Sequence, residues 1–423
     1  MLPPEGALSA PPAVAAPSAP IAPEPAIHAA PQPDTVSTPP VQPTPPASPF
    51  VAPETPVVRD SGSQTPPAPA VHRGGDKLEI ELARSLVSDP GRFCDAVEGR
   101  RDLPTARRDL ALAVGKALAG KLDEARRLAE SLQKDPLVRA SESEFLDRLI
   151  GGRPTVAQFA SATTESPLVW AALLVVESRA AEALAADGKS REAAQTYSEI
   201  LLDYVRAPWS PDANVLRRWS EGLNKSQQKY RWNRAADWPS ISVKVEPGDS
   251  LIALRKRLLK DHPELLLCTG QIERSNGIRG TTLQPGQTLK IPTDRARMLV
   301  DLDARWAFYI VGNEVAQAWE VGVGKEGGTR QGQYTVGDKK EEPMWFRPGQ
   351  APVPYGSPEN PLGTRWIAWL DADGATTGLG FHGTNQPESI GKDESQGCIR
   401  MRNADVEELF EILPRGAVIQ VQP

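Results

Sequence analysis

Histidine is scarce in this 423-residue chain, with four in all. His28 and His72 lie in a proline-rich N-terminal stretch and His262 in a central segment, so His382 is the one imidazole base the C-terminal part offers. Cysteine is scarcer still: Cys94, Cys268 and Cys398 fall in three different segments. So sparse and odd a set excludes a disulfide framework and fits one free reactive thiol. Positive charge is not in excess either. With 48 Lys and Arg against 54 Asp and Glu the net charge is −6, which argues against a nucleic-acid partner. No apolar run approaches the roughly eighteen residues of a membrane span, and no metal or cofactor is expected. The opening residues, MLPPEG, lack the charged and apolar regions of a signal peptide. The length allows two or three domains.

Residues 1–75 are dominated by Pro and Ala, as in PPAVAAPSAPIAPEPA. Such a stretch cannot bury a core and is expected to be a disordered, polyproline-like linker. It reads as a spacer from an anchor, a means of crossing a polymer mesh, or a passive tail. Residues 76–238 turn helical: Leu78, Leu82 and Leu86 step by four, and LDEARRLAESL and SREAAQTYSEILLDYV keep apolar residues at spacings of three and four. Gly120-Lys121-Leu122-Asp123-Glu124-Ala125 is echoed by Gly188-Lys189-Ser190-Arg191-Glu192-Ala193, 68 positions on. That is twice the 34-residue tetratricopeptide period, so the region resembles an array of helical hairpins. Two readings stay open, a partner-docking surface and a plain helical spacer. Pro208 and Pro211 interrupt the region, and Trp209, Trp219, Trp232 and Trp238 are expected to pack helices.

Residues 241–293 form a compact module. Val243 to Glu246 alternate as a short strand, Pro247-Gly248 turns, and Asp249 or Ser250 is placed to cap a helix. After Asn276-Gly277 the stretch Leu283 to Pro292, LQPGQTLKIP, reads as the returning strand of a βααβ unit. The frame VEPGDSL…LQPGQTLKIP resembles a LysM domain, a family that binds the N-acetylglucosamine-containing glycan of cell walls. The resemblance implies glycan contacts at Gly248, Asp249 and Ser250, and at Asn276, Gly277 and Ile278. The insert RKRLLKDHPELLLCTG is longer than usual, and Cys268 within it reads as a core residue.

Residues 298–423 read as β-rich. Arg305–Val311 and Ala316–Val323 are strand-like around a Gly312-Asn313-Glu314 turn, with further strands at Gly332–Val336, Trp366–Leu370 and Ala417–Val421. A helix over Ala404–Phe410 has Asn403 as its expected cap. A sandwich-like domain fits this alternation.

Within it, Phe381 to Asn403 reads FHGTNQPESIGKDESQGCIRMRN, with His382 and Cys398 sixteen positions apart. A free thiol has a pKa near about 8.5 and needs a base to become a nucleophile, which an imidazole supplies. The wording His382-Gly383-Thr384-Asn385, Ser389-Ile390-Gly391 and Ser395-Gln396-Gly397-Cys398-Ile399-Arg400-Met401 resembles the L,D-transpeptidase catalytic domain of the YkuD type. Asn360-Pro361-Leu362-Gly363-Thr364-Arg365-Trp366 and Val321-Gly322-Val323-Gly324 are similar to that family too. One departure is Gln396, where many members have a second histidine.

The resemblance implies Cys398 as nucleophile, His382 as base, and the Gly383 carbonyl orienting the ring. It implies backbone N–H groups of Gln396, Gly397 and Cys398 as oxyanion hole, with Ser395, Thr384, Asn385 and Arg400 toward substrate. Arg400 reads equally as a salt-bridge partner within the fold. Trp345 and Tyr355 are candidate walls of a donor cleft.

The expected function is peptidoglycan L,D-transpeptidation: a cysteine acyl-enzyme from a stem tetrapeptide, release of D-Ala, and transfer to an acceptor amine in the bacterial periplasm or cell wall. The expected partners are glycan strands and stem peptides, with a protein partner through the helical region left open. An envelope function is at odds with the MLPPEG start, which leaves a start further upstream or another export route. The alternatives are an L,D-carboxypeptidase using water, a non-catalytic wall-binding protein with a decayed site, and a general cysteine peptidase. His-before-Cys order argues against the last for papain-like folds.

Overall fold

The computed structural model describes residues 76–152, 165–207, 209, 212–278, 280, 282–346 and 350–423. The Pro/Ala-rich stretch 1–75, Pro208 and Pro211 lie outside these residues.

Among the described residues eight helices come first: α1 (Lys77–Ser88), α2 (Phe93–Glu98), α3 (Thr105–Leu118), α4 (Leu122–Leu132), α5 (Ala140–Gly151), α6 (Pro167–Ala186), α7 (Ser190–Arg206) and α8 (Ala213–Lys229). Side-chain caps start three of them, from Asp76, Ser166 and Asp212. The two echoing segments are hairpin turns of the same geometry. Gly120 and Gly188 both have φ +77°, and the following lysine N–H bonds back to the carbonyl five residues earlier, Lys116 O at 2.8 Å and Leu184 O at 2.9 Å. A left-handed glycine that closes a helix this way explains why Gly-Lys recurs.

The LysM-like segment is the expected βααβ unit. β1 (Ser240–Lys244) pairs antiparallel with β2 (Thr288–Pro292), with α9 (Leu251–Asp261) and α10 (Thr269–Asn276) between. Ser250 caps α9 through Ala253 N at 3.2 Å. Asp249 instead accepts from Glu246 N and from Arg257, which hold its carboxyl below the usual range against the opposing effect of burial.

The C-terminal strands are β3 (Ala296–Asp301), β4 (Trp306–Val311), β5 (Glu314–Glu320), β6 (Val323–Gly324), β7 (Gly332–Glu341), β8 (Arg365–Leu370), β9 (Thr376–His382), β10 (Asp393–Ser395), β11 (Ile399–Arg400) and β12 (Val418–Gln422), with α11 (Asn403–Ile412) before the last. Eight of them make one mixed sheet ordered β11-β9-β8-β7-β12-β3-β4-β5, and β10 pairs with β6 apart from it. The sandwich expectation is therefore met in β-content only: among the described residues eight of the ten strands form one sheet. Register shifts at Tyr309/Ile310, Val336/Lys339 and Ala368/Leu370 provide the bends that let a single sheet curl.

The helical region is neither a spacer nor a free array. Leu299, Trp306, Phe308, Ile310 and Val315 on one face of β3–β5 share a core with helices α1 to α8. Met298, Val300, Ala307, Tyr309 and Ala316 on the other face join the core around α11. β5 is an edge strand, and side chains cover it: Val315 N donates to Ser198 Oγ at 2.7 Å, and Gln227 donates to Val315 O at 2.9 Å. Of the four tryptophans expected between helices, Trp209 and Trp219 pack there around Tyr204. Trp232 sits in the core around α11 and Trp238 against Tyr230, with Arg274 and Lys290 of the LysM-like unit over their rings. Among the described residues no helix is long and apolar enough to cross a membrane.

Candidate active site

β11 runs parallel to β9 with Ile399 opposite Phe381 and Arg400 opposite His382. Phe381 and Ile399 are fully buried in the core. Side chains alternate along strands, so His382, Arg400 and, one step before β11, Cys398 emerge together on the opposite face. A sixteen-residue separation thus becomes one site.

His382 is 4% exposed and its ring stacks on Trp366, centroids 5.9 Å apart. Nδ1 lies 2.6 Å from Gly383 O. A carbonyl only accepts, so Nδ1 carries the proton and the neutral ring keeps a lone pair on Nε2. Burial drives the imidazole down to about 4, the Gly383 bond opposes this, and Arg400 adds to the lowering. Burial likewise pushes the half-buried Cys398 thiol up to about 11, against smaller lowering from the Gly380 backbone and Arg400. The resting pair is thiol and neutral imidazole.

The turn before Cys398 is braced from within. Ser395, 2% exposed, donates to Cys398 O at 2.6 Å and accepts from Gly397 N at 3.0 Å. Two expectations change here: Ser395 is committed to the turn instead of facing substrate, and the Gly397 N–H already has a partner. Of the expected oxyanion donors this leaves the N–H groups of Gln396 and Cys398. Gly397 has φ +136°, and a Cβ there would stand 2.7 Å from Gly328 O. Buried Thr329 completes the brace, donating to Gly397 O at 2.7 Å and accepting from Gly324 N at 2.8 Å.

The loop after His382 is fixed by Asn403. Asn403 does not cap α11, whose cap position is Arg402; its Oδ1 accepts from Thr384 N at 3.0 Å and Thr364 N at 3.4 Å. Cβ atoms on Gly363 or Gly383 would fall 2.2 or 2.1 Å from that oxygen, so both glycines are required. Thr384 is buried, with Oγ1 accepting from Gln386 N, while exposed Asn385 reaches Pro358 O at 2.8 Å. The loop before β8 is latched by buried Asn360, which donates to Pro343 O and Val353 O. Trp345 pairs by backbone with Val353, and Tyr355 is exposed nearby in sequence. Among the described residues Arg400 has no carboxylate partner; its guanidinium reaches Gln386 Oε1 at 3.5 Å.

Thr329, Asn403 and Asn360 were not singled out from the sequence as site residues. Asn360 lay inside a quoted motif and Asn403 ended the quoted His382–Cys398 stretch, but Thr329 and Asn403 act through backbone atoms far away in sequence, which leaves no local spacing to read.

In the LysM-like unit, Asn276 is a strut rather than an open glycan contact. Its amide donates to Ile272 O and Lys290 O and accepts from Lys290 N, pinning α10 to β2. Ser250 and Asp249 are held as described above. Ile278 packs partly buried on the module's core, and Gly248 and Gly277 have open space around them.

Residues 295–421 match the L,D-transpeptidase catalytic domain (YkuD), and residues 243–292 match the LysM domain. Three relatives, each provisionally named an L,D-transpeptidase, illustrate the likeness. YqjB of Bacillus subtilis (strain 168) is 40% identical over 114 residues, 26% of this chain and 62% of YqjB. YkuD of Bacillus licheniformis is 27% identical over 190 residues, 43% of this chain and 99% of that protein. ErfK/SrfK of Salmonella typhimurium is 30% identical over 178 residues, 36% of this chain and 55% of that protein.

Proposed function

From the L,D-transpeptidase catalytic domain and the LysM domain that this chain carries, we propose that it is a peptidoglycan L,D-transpeptidase of the bacterial cell envelope. The observation that carries this reading is the common face of β9 and β11, which carries both Cys398 and a neutral His382 whose Nδ1 is held by Gly383 O.

Substrate binding brings the carbonyl that joins the L-centre of diaminopimelate to D-Ala against Cys398. The thiol proton passes to His382 Nε2 as sulfur bonds to the carbonyl carbon. Negative charge on the carbonyl oxygen is met by the N–H groups of Gln396 and Cys398, each such donor being worth about 3 kcal/mol of barrier. The intermediate collapses, the C–N bond breaks, and the departing D-Ala amine takes the proton from Nε2. An acceptor amine then attacks the thioester, gives its proton to Nε2, and displaces sulfur, which recovers that proton. Arg400, without a carboxylate of its own among the described residues, takes a substrate carboxylate.

Mass spectrometry of products from disaccharide-tetrapeptides, beside Cys398→Ala, tests the proposal. Cross-linked dimers that vanish in the variant are expected. Tripeptides alone would make water the acceptor and the enzyme an L,D-carboxypeptidase, and no loss of D-Ala would return the decayed-site reading.

A further inference from the structure

The LysM domain is seated on the catalytic domain. α10 approaches the C-terminal end of α11 so closely that a Cβ on Gly270 would lie 2.3 Å from Glu411 O. Cys268 Sγ donates to the same oxygen at 2.8 Å. Gln271 donates to Tyr309 Oη at 3.0 Å, and that hydroxyl donates to Ile412 O at 2.9 Å. Arg274 pairs with Glu408, which also accepts from Gln317 and Trp319, and lies 4.5 Å over Trp232. On the other flank Lys290 donates to Ala236 O and Arg234 to Thr288 O, each at 2.6 Å. These contacts hold the module from two sides.

The loops expected to take sugar are not part of this seat. Gly248 and Gly277 have open space around them, and Ile252 is 72% exposed. The seat and the catalytic centre meet on one helix. Asn403, its first residue, fixes the loop beside His382, and Glu411, eight residues on, is about 12 Å away along the axis.

We propose that the glycan face and Cys398 are held at a fixed separation and act as a ruler. Resting on the transpeptidase reading above, this assigns the substrate class: a continuous glycan strand long enough to occupy LysM while presenting a stem peptide to Cys398. A rigid connection gives a large effective concentration only to a ligand that spans both sites, and almost none to a shorter one. A flexible tether would instead help every length gradually.

The test uses the full chain and glycan strands of defined numbers of disaccharide-tetrapeptides, with D-Ala release per stem as readout. The expected result is a step of roughly tenfold or more at one threshold length. Gly270→Leu drives a side chain into Glu411 and unseats the module; Arg274→Ala loosens the seat without a steric change. In either, the step is lost while release from a single disaccharide-tetrapeptide and retention on insoluble wall glycan stay within about twofold of the parent. Release that is independent of length, or climbs smoothly, in the parent would overturn the ruler alone. So would a step that survives in a variant whose α10–α11 amides exchange hydrogen freely. Absence of D-Ala release at every length would remove the transpeptidase reading, and the ruler with it.

Discussion

At His382 and Cys398 burial acts on both groups in the same sense, favouring their neutral forms. The thiol is therefore not stored as a thiolate, and in the proposed mechanism its proton leaves when a substrate carbonyl is in place. Alkylation of Cys398 by iodoacetamide is expected to climb through pH 9 toward about 11 with no plateau near neutrality. A plateau below pH 7 would mean a preformed ion pair and sink this view. Stability carries the matching signature. An imidazole depressed to about 4 when folded but near about 6.5 when unfolded costs nothing above the unfolded value. As pH falls from about 6.5 toward 4 the unfolded state binds the proton first, and stability on the order of 3 kcal/mol is lost. His382→Asn removes that titration, so its melting temperature should gain on the parent's over this window. Parallel curves would show that the ring titrates normally.

The elements that carry the site are short, and their connections do much of the positioning. β11 is two residues long, so the geometry of Cys398 depends on the turn before it and on the Thr329 and Ser395 hydroxyls that close that turn. Gly397→Ala should abolish D-Ala release, since a methyl group 2.7 Å from Gly328 O displaces the nucleophile in a backbone region unsuited to alanine. An active, correctly folded Gly397→Ala chain would refute the brace. Asn403→Ala leaves the Thr384 and Thr364 N–H groups without their partner, which costs about 1–3 kcal/mol and a lower kcat; differential scanning calorimetry and D-Ala release check both. The pairing of His382 and Cys398 on neighbouring strands, and so the proposed base and nucleophile, was legible in the sequence because one segment contains both and glycines flank them. Asn403 read only as a helix cap, because its side chain bonds to backbone amides nineteen and thirty-nine residues away. No spacing rule connects such partners.

On the scale of the whole molecule, the helical region was legible as helices and illegible as a partner of the sheet. The clue lay in Trp306–Val311, WAFYIV, every residue of which is buried. An unbroken apolar strand marks a sheet covered on both faces, whereas a strand covered on one face alternates. The repeated Gly-Lys turns drew attention to the hairpins themselves and away from what their outer faces cover. Leu299, Trp306, Phe308, Ile310 and Val315 lose their cover if the helices are removed. At about 1.5–3 kcal/mol for each large apolar side chain, that is on the order of 10 kcal/mol. This is comparable to the entire stability of an ordinary domain, about 5–15 kcal/mol. The same truncation uncovers the β5 edge, including Val315 N and O, and an uncovered edge pairs with other copies. A chain starting at Asp237 should therefore oligomerise in light scattering and melt well below the parent, even though the LysM and catalytic segments are complete. A monomeric truncated chain with the parent's melting temperature would make the helices an appendage, and the two-sided burial of β4 would then need another explanation.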